Sequence, residues 1–161
     1  MAIDPANIKL YQCATWTEGA SHGGAINTGA QITDASSNNI FDDVSDAERV
    51  AGVIATDDNA YRKIFIRNEN ADTWNSVKCW ISQVTGATND EVHIVAASGA
   101  DIASTAKGYT YVTPTSKVHA DVLNLGNIAQ NASVGIWVQR LVSAAGSGYT
   151  DNTFKLAFES S

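Results

Sequence analysis

The chain has 161 residues, a mass of 17.0 kDa and 10 basic against 17 acidic side chains, a net charge of −7. That is one domain's length, long enough for a core without disulfides or metal. The 44% hydrophobic and 17% charged content describes a globular protein, and the acidic balance argues against phosphate-neutralising contact with nucleic acid or anionic membranes.

Val and Ile together number 26, whereas Leu numbers only 5. β-Branched side chains lose rotamer freedom in helices and fit a pleated surface, which excludes an all-α fold. No run of 18 apolar residues is present to span a bilayer. Residues 1–5 show neither the basic nor the apolar region of a secretory signal.

In chain order, residues 8–12 read as a short strand, followed by Trp16. Gly19, Gly23, Gly24 and Gly29 then interrupt regular structure. Residues 1–37 are therefore read as an extended N-terminal arm or loop region, and residues 38–161 as the folded domain. Removal of residues 1–20 is expected to leave that domain folded. Residues 39–44 open it, Ser45 caps one helical turn, residues 49–56 read as a strand, and Asp57-Asp58-Asn59 is a turn. Residues 61–68 place Ile64 and Ile66 on one face and Lys63, Phe65 and Arg67 on the other. Residues 74–84 alternate most clearly, with Val77, Cys79 and Ile81 opposite Ser76, Lys78, Trp80 and Ser82. Further strands are expected at 91–97, at 108–113 before Pro114, at 118–128, at 133–142 and at 153–159. In the 133–142 strand, Val134, Ile136 and Val138 share one phase against Trp137 and Gln139. Short strands at this spacing predict an all-β fold, an antiparallel β-sandwich of Ig-like or jelly-roll-like type with about eight strands.

The chemistry-bearing residues do not form a known catalytic pattern. His22, His93 and His119 are scattered and match no metal spacing, so each reads as a surface or hydrogen-bonded histidine. Asp42-Asp43 and Asp57-Asp58 are neighbours whose side chains diverge on an extended chain, unlike a paired acid and base. Calcium in the second pair lacks the usual ligand spacing. Gly146-Ser147-Gly148 reads as a hairpin loop rather than a nucleophile elbow. Cys13 and Cys79 are expected as two buried thiols, with a structural disulfide as the alternative. No enzyme activity, cofactor or metal is expected. Lys9, Arg62, Lys63 and Arg67 are expected to meet solvent.

Trp80 and Trp137 lie opposite the core phases of their strands, so a second sheet face carries large aromatics. Three readings stand: the face is covered by the arm or a long loop, it anchors a protein interface, or it stacks a glycan. The residues singled out for a partner interface are Lys9, Tyr11, Trp16, His22, Trp80 and Trp137.

Three stretches resemble virion structural proteins of tailed bacteriophages: Ile40-Phe41-Asp42-Asp43-Val44-Ser45, Tyr61-Arg62-Lys63-Ile64-Phe65-Ile66-Arg67-Asn68, and Trp74-Asn75-Ser76-Val77-Lys78-Cys79-Trp80-Ile81. The resemblance implies a β-sandwich without a catalytic role, built into a head or tail. The first expectation is a capsid decoration, or cement, protein on the capsid surface of a virion, made in the bacterial host cytoplasm. Its partners would be the major capsid protein and further copies of itself, as a homotrimer or other homo-oligomer, with no nucleic acid and no membrane. The alternatives are a tail, neck or baseplate subunit and a carbohydrate-binding module.

Overall fold

The computed structural model describes residues 3–14, 25–32, 61–85, 90–97, 101, 103–142 and 153–160. Eight strands build it: β1 (Ile8–Cys13), β2 (Ile26–Ile32), β3 (Tyr61–Asn68), β4 (Trp74–Thr85), β5 (Asp90–Ala97), β6 (Leu123–Ile128), β7 (Ser133–Val142) and β8 (Thr153–Ser160). A 3-10 turn, Pro5–Asn7, precedes β1, and one short helix, α1 (Ala103–Ala106), follows β5. The strands form a five-stranded sheet in the order β2-β1-β3-β7-β5 and a three-stranded sheet in the order β6-β4-β8. All their pairings are antiparallel. From β3 to β8 consecutive strands alternate between the two sheets. This is the all-β antiparallel sandwich that the alternation of apolar residues predicts.

The core lies between the sheets. The larger sheet contributes Ile64, Ile66, Ile94, Ile136 and Val138, and the smaller contributes Val77, Cys79, Ile81, Leu123, Leu125 and Ile128. Strand pleating sends alternate side chains to this interior, and each buried aliphatic side chain contributes about 1.5–3 kcal/mol by leaving water. The phases read for β3, β4 and β7 all hold on this side of the sheet. Cys13 and Cys79 are both buried and unbridged.

Two expectations fail. Residues 8–13 and 26–32 are not an arm: β1 lies between β2 and β3, with Leu10 opposite Ile66 and Gln12 opposite Ile64. Ile8, Leu10 and Ile32 pack against the core. The division at residue 37 therefore cuts through a hydrogen-bonded sheet, because glycine-rich sequence between two strands does not reveal that they pair. Residues 108–113 are not a strand either. Gly108 and Tyr109 donate backbone hydrogen bonds to Thr105 and Ala106, continuing α1 as turns, and only Val112 bridges to β5, at Ile94. The strand expected over 118–128 begins at Leu123, since 116–122 is a pair of successive turns, with Val118 84% exposed. The elements expected at 39–44, 45–49, 49–56, 57–59 and 144–149 lie outside the described residues.

One end of the sandwich is tied by a buried amide. Asn68, at the end of β3, donates through Nδ2 to the carbonyls of Asp72 and Ile128, both at 2.8 Å. Its Oδ1 accepts from the backbone N–H and the Nδ2 of Asn70, both at 3.0 Å. Asn70 in turn accepts from the Asp4 N–H at 2.9 Å. One side chain thus satisfies the β3–β4 turn and the end of β6, and Asn70 extends the network to the N-terminal segment, in a place where unpaired polar groups would each cost about 1–3 kcal/mol. Deleting residues 1–13 strips a central strand from the larger sheet and is expected to abolish cooperative thermal unfolding followed by circular dichroism. A cooperative melt retained within a few degrees of the full chain would contradict this placement of β1.

Candidate functional site

The outer face of the five-stranded sheet is covered where β3, β7 and β5 meet. Three cross-strand rows run over it: Tyr61, Gln139 and His93; Lys63, Trp137 and Val95; Phe65, Gly135 and Ala97. Tyr61, Trp137 and Ala106 of α1 form a second buried cluster, packed with Val95, Ala97, Tyr109 and Tyr111. The segment from α1 to Tyr111 therefore covers this face. Trp137, read as an interface anchor, is 0% exposed. It belongs to this covered cluster and offers nothing to a partner or a sugar. Neither Trp137 Nε1 nor the Tyr111 hydroxyl has a hydrogen-bond partner among the described residues, so both rings serve here as apolar volume.

Lys63 is the unexpected member. It was expected in solvent, yet it is 0% exposed, and Arg62 beside it is buried as well. The Lys63 stem crosses the sheet so that Nζ lies 5.2 Å from the Phe65 ring centroid and 5.7 Å from that of Trp137. Both distances suit a cation–π contact. Nζ donates to the Asp101 carbonyl at 3.1 Å. The Asp101 carboxylate accepts a short hydrogen bond from the Tyr109 hydroxyl. Burial lowers the pKa of the Lys63 amine, against a smaller upward pull from Asp101. The hydrogen bond to Asp101, more than burial, raises the pKa of Tyr109. Gly135 makes this packing possible. A Cβ there would sit 3.1 Å from Lys63 Cε, 3.3 Å from Ala97 Cβ and 3.4 Å from Phe65 Cε1.

Lys9 and Tyr11 sit at the other end of the same face, half-buried, opposite Arg67 and Phe65. The Tyr11 hydroxyl donates to Glu69 Oε1 at 2.8 Å, and Arg67 Nε lies 3.8 Å from the same oxygen. That hydrogen bond, with burial behind it, raises the Tyr11 pKa. Tyr11 is thus held within the chain by Glu69.

Trp80 has a different setting. It points away from the core on the three-stranded sheet, half-buried, opposite Ala157 of β8. Lys78 is on the same face opposite Glu159, and Glu159 accepts from Lys117 at 2.7 Å. Of the six interface residues read from sequence, Lys9, Tyr11 and Trp137 fall on the five-stranded sheet and Trp80 on the three-stranded one, while Trp16 and His22 lie outside the described residues. The four described residues do not form one site.

The two described histidines each have an acidic neighbour two residues away. His93 Nε2 is 3.0 Å from Glu91, and His119 Nδ1 is 3.8 Å from Asp121. Among the described residues, no three His, Cys, Asp or Glu side chains are grouped so as to hold a metal ion. No protein-family model, curated protein or solved structure matches the chain.

Two outcomes follow from the covered face. Gly135→Val adds a strand-favouring residue but overpacks Lys63, and is expected to cost about 1–3 kcal/mol in urea unfolding. An unchanged or higher midpoint would mean that the contacts with Lys63 and Ala97 are not tight. For Lys63, the folded pKa lies below the unfolded value, so the unfolded chain binds more protons between the two. Stability therefore rises with pH across that window, and the burial cost at neutral pH is relieved toward the ordinary lysine value. Relative to Lys63→Met, the native chain is expected to gain urea resistance between pH 7 and about pH 10. A constant difference, or a loss, would contradict a charged buried amine at neutral pH.

Proposed function

We propose that this chain is a structural subunit of a virion, a capsid decoration protein that binds the outside of the major capsid shell and stabilises it. The observation that carries the reading is the resemblance of two stretches to tailed-phage virion proteins, together with their place in the fold. Tyr61–Asn68 is the middle strand of the larger sheet, and Trp74–Thr85 is the middle strand of the smaller. Two of the three stretches thus belong to strands that build the sandwich, while residues 40–45 lie outside the described residues. Arg67-Asn68, the end of the Tyr61–Asn68 stretch, includes the amide that ties the strand ends together.

In this reading the protein works by binding equilibrium and not by chemistry. A subunit that binds only the mature shell stabilises it by RT ln(1 + [L]/Kd) per site, about 2.7 kcal/mol at a hundredfold excess over Kd. Contacts with several shell subunits at once raise the effective affinity further. The half-buried Lys9 on one sheet and the Lys78–Trp80 face on the other are the surfaces on offer to an acidic, partly apolar partner.

Trp80 also supports a second reading, a glycan-binding module, since an outward-facing indole beside an alanine suits sugar stacking. Saturable quenching of tryptophan fluorescence by a soluble polysaccharide, lost in Trp80→Ala, would favour it over the first.

Particles stripped of this protein are expected to lose heat resistance and to recover it, in a concentration-dependent way, when the purified chain is added back. Imaging of the restored particles is expected to show density at regular lattice positions outside the shell. Density in the tail, or binding without stabilisation, would overturn the decoration reading.

A further inference from the structure

We propose that β8 is a self-pairing edge, through which two copies of this chain join their three-stranded sheets into one continuous six-stranded sheet about a twofold axis. The inference does not depend on the virion reading.

β8 closes one side of the smaller sheet, and its far edge pairs with no strand among the described residues. The direction of its backbone groups follows from β4. The Ile81 N–H goes to the Pro114 carbonyl at 2.8 Å, away from β8. Ile81 and its opposite residue Leu156 are therefore a non-hydrogen-bonded pair, and the N–H and C=O of Leu156 point to the outer edge. By alternation so do those of Phe154, Phe158 and Ser160. Consistently, the Lys155 carbonyl faces β4, where it accepts from Ser82 Oγ at 3.3 Å.

The charged residues of β8 are Lys155 and Glu159, of opposite sign, so the edge lacks a like-charge block against a second copy of itself. β8 runs eight residues, TFKLAFES, with no proline or glycine. The register shift against β4 adds its extra residue on β4, between Ile81 and Gln83. By contrast, the edge strand β5 is bridged by Val112, and β6 contains Gly126 in the left-handed region. Long regular edges are ready templates for another strand. The side chains under this edge are also incompletely covered: Phe154, Leu156 and Phe158 pack against the core yet remain only half-buried. A second strand alongside would cover them.

The sequence of β8 selects the occupant. In an antiparallel pair of two β8 strands centred on Ala157, Leu156 lies opposite Phe158 of the second copy, and Phe154 opposite Ser160. These are the residues whose N–H and C=O groups point outward, so the hydrogen-bonding phase matches. In the same register Lys155 lies opposite Glu159 of the second copy, and Glu159 opposite its Lys155. Both are exposed, and the twofold axis makes the charge pair twice. Centring the axis one residue to either side also keeps the hydrogen-bonding phase, but loses both charge pairs. A second copy therefore satisfies backbone, apolar face and charge together.

The test is the oligomeric state of the purified full chain by light scattering and sedimentation. A species of twice 17.0 kDa is expected. Lys155→Glu sets like charges opposite each other at two symmetric places and should weaken the dimer at least about tenfold. The double variant Lys155→Glu, Glu159→Lys restores opposite signs and should recover it. As a measurement on the native chain, the amides of Leu156 and Phe158 should exchange with solvent slowly at high concentration and faster on dilution. A monomer at about 100 μM, an odd-numbered oligomer, a dimer indifferent to Lys155→Glu, failure of the charge swap to restore pairing, or no concentration dependence at those two amides would each overturn the proposal.

Discussion

The burial of β3 on both faces is the constraint that organises this molecule. One side of the strand, Ile64 and Ile66, faces the opposing sheet. The other, Tyr61, Lys63 and Phe65, lies under the segment around α1. A strand buried twice cannot carry a charged side chain outward, so Lys63 lays its stem over aromatic rings and delivers its amine to a backbone carbonyl. Amphipathic lysines pack this way wherever the apolar stem can be covered and the head can find an acceptor. The cover is anchored by Tyr109 on Asp101, by the Val112 bridge to β5 and by the Pro114 carbonyl on β4. It therefore touches both sheets and closes one side of the sandwich while burying the outer face.

Polar groups at the end of β3 are handled with similar economy. Asn68 presents two donors and an acceptor with two lone pairs, and its side-chain partners, Asp72, Ile128 and Asn70, belong to segments that leave or enter the sheets. Its own N–H goes to Ala132 and its carbonyl accepts from Asn131. Asn131 adopts φ 59°, a conformation that asparagine tolerates better than most residues, and this lets the β6–β7 turn approach. Hydrophobic burial brings the sheets together, whereas this amide network sets how their ends are connected.

The two sheets differ in how they end. On the β5–β6 side, the Val112–Pro114 stretch links one sheet to the other. On the β8 side, half-buried aromatics line a strand edge that pairs with no strand among the described residues. On the outward face of the smaller sheet, Lys78 and Trp80 lie beside Glu159 and Ala157 of β8. A subunit that assembles with neighbours, as proposed here, needs such a face beside a rigid core. Pairing along β8 would place the Trp80 faces of two copies on one continuous sheet.

The sequence by itself determined the fold class, the strand cores at 61–68, 74–84, 91–97, 133–142 and 153–159, and the inward phase of the strands at 61–68, 74–84 and 133–142. Period-two alternation of β-branched residues is a local signal, and one buried face is enough to impose it. The candidate interface was legible only in part: Trp80 faces outward as its phase implies, while Trp137, in the same kind of phase, is buried. Alternation assigns a side chain to a face but says nothing of what lies over that face, and the cover from α1 to Tyr111 has no periodic pattern to announce it. The same limit hid the membership of β1 and β2 in the larger sheet, the burial of Lys63 and the junction at Asn68. Each depends on contacts between residues distant along the chain, so only the tertiary structure decided them.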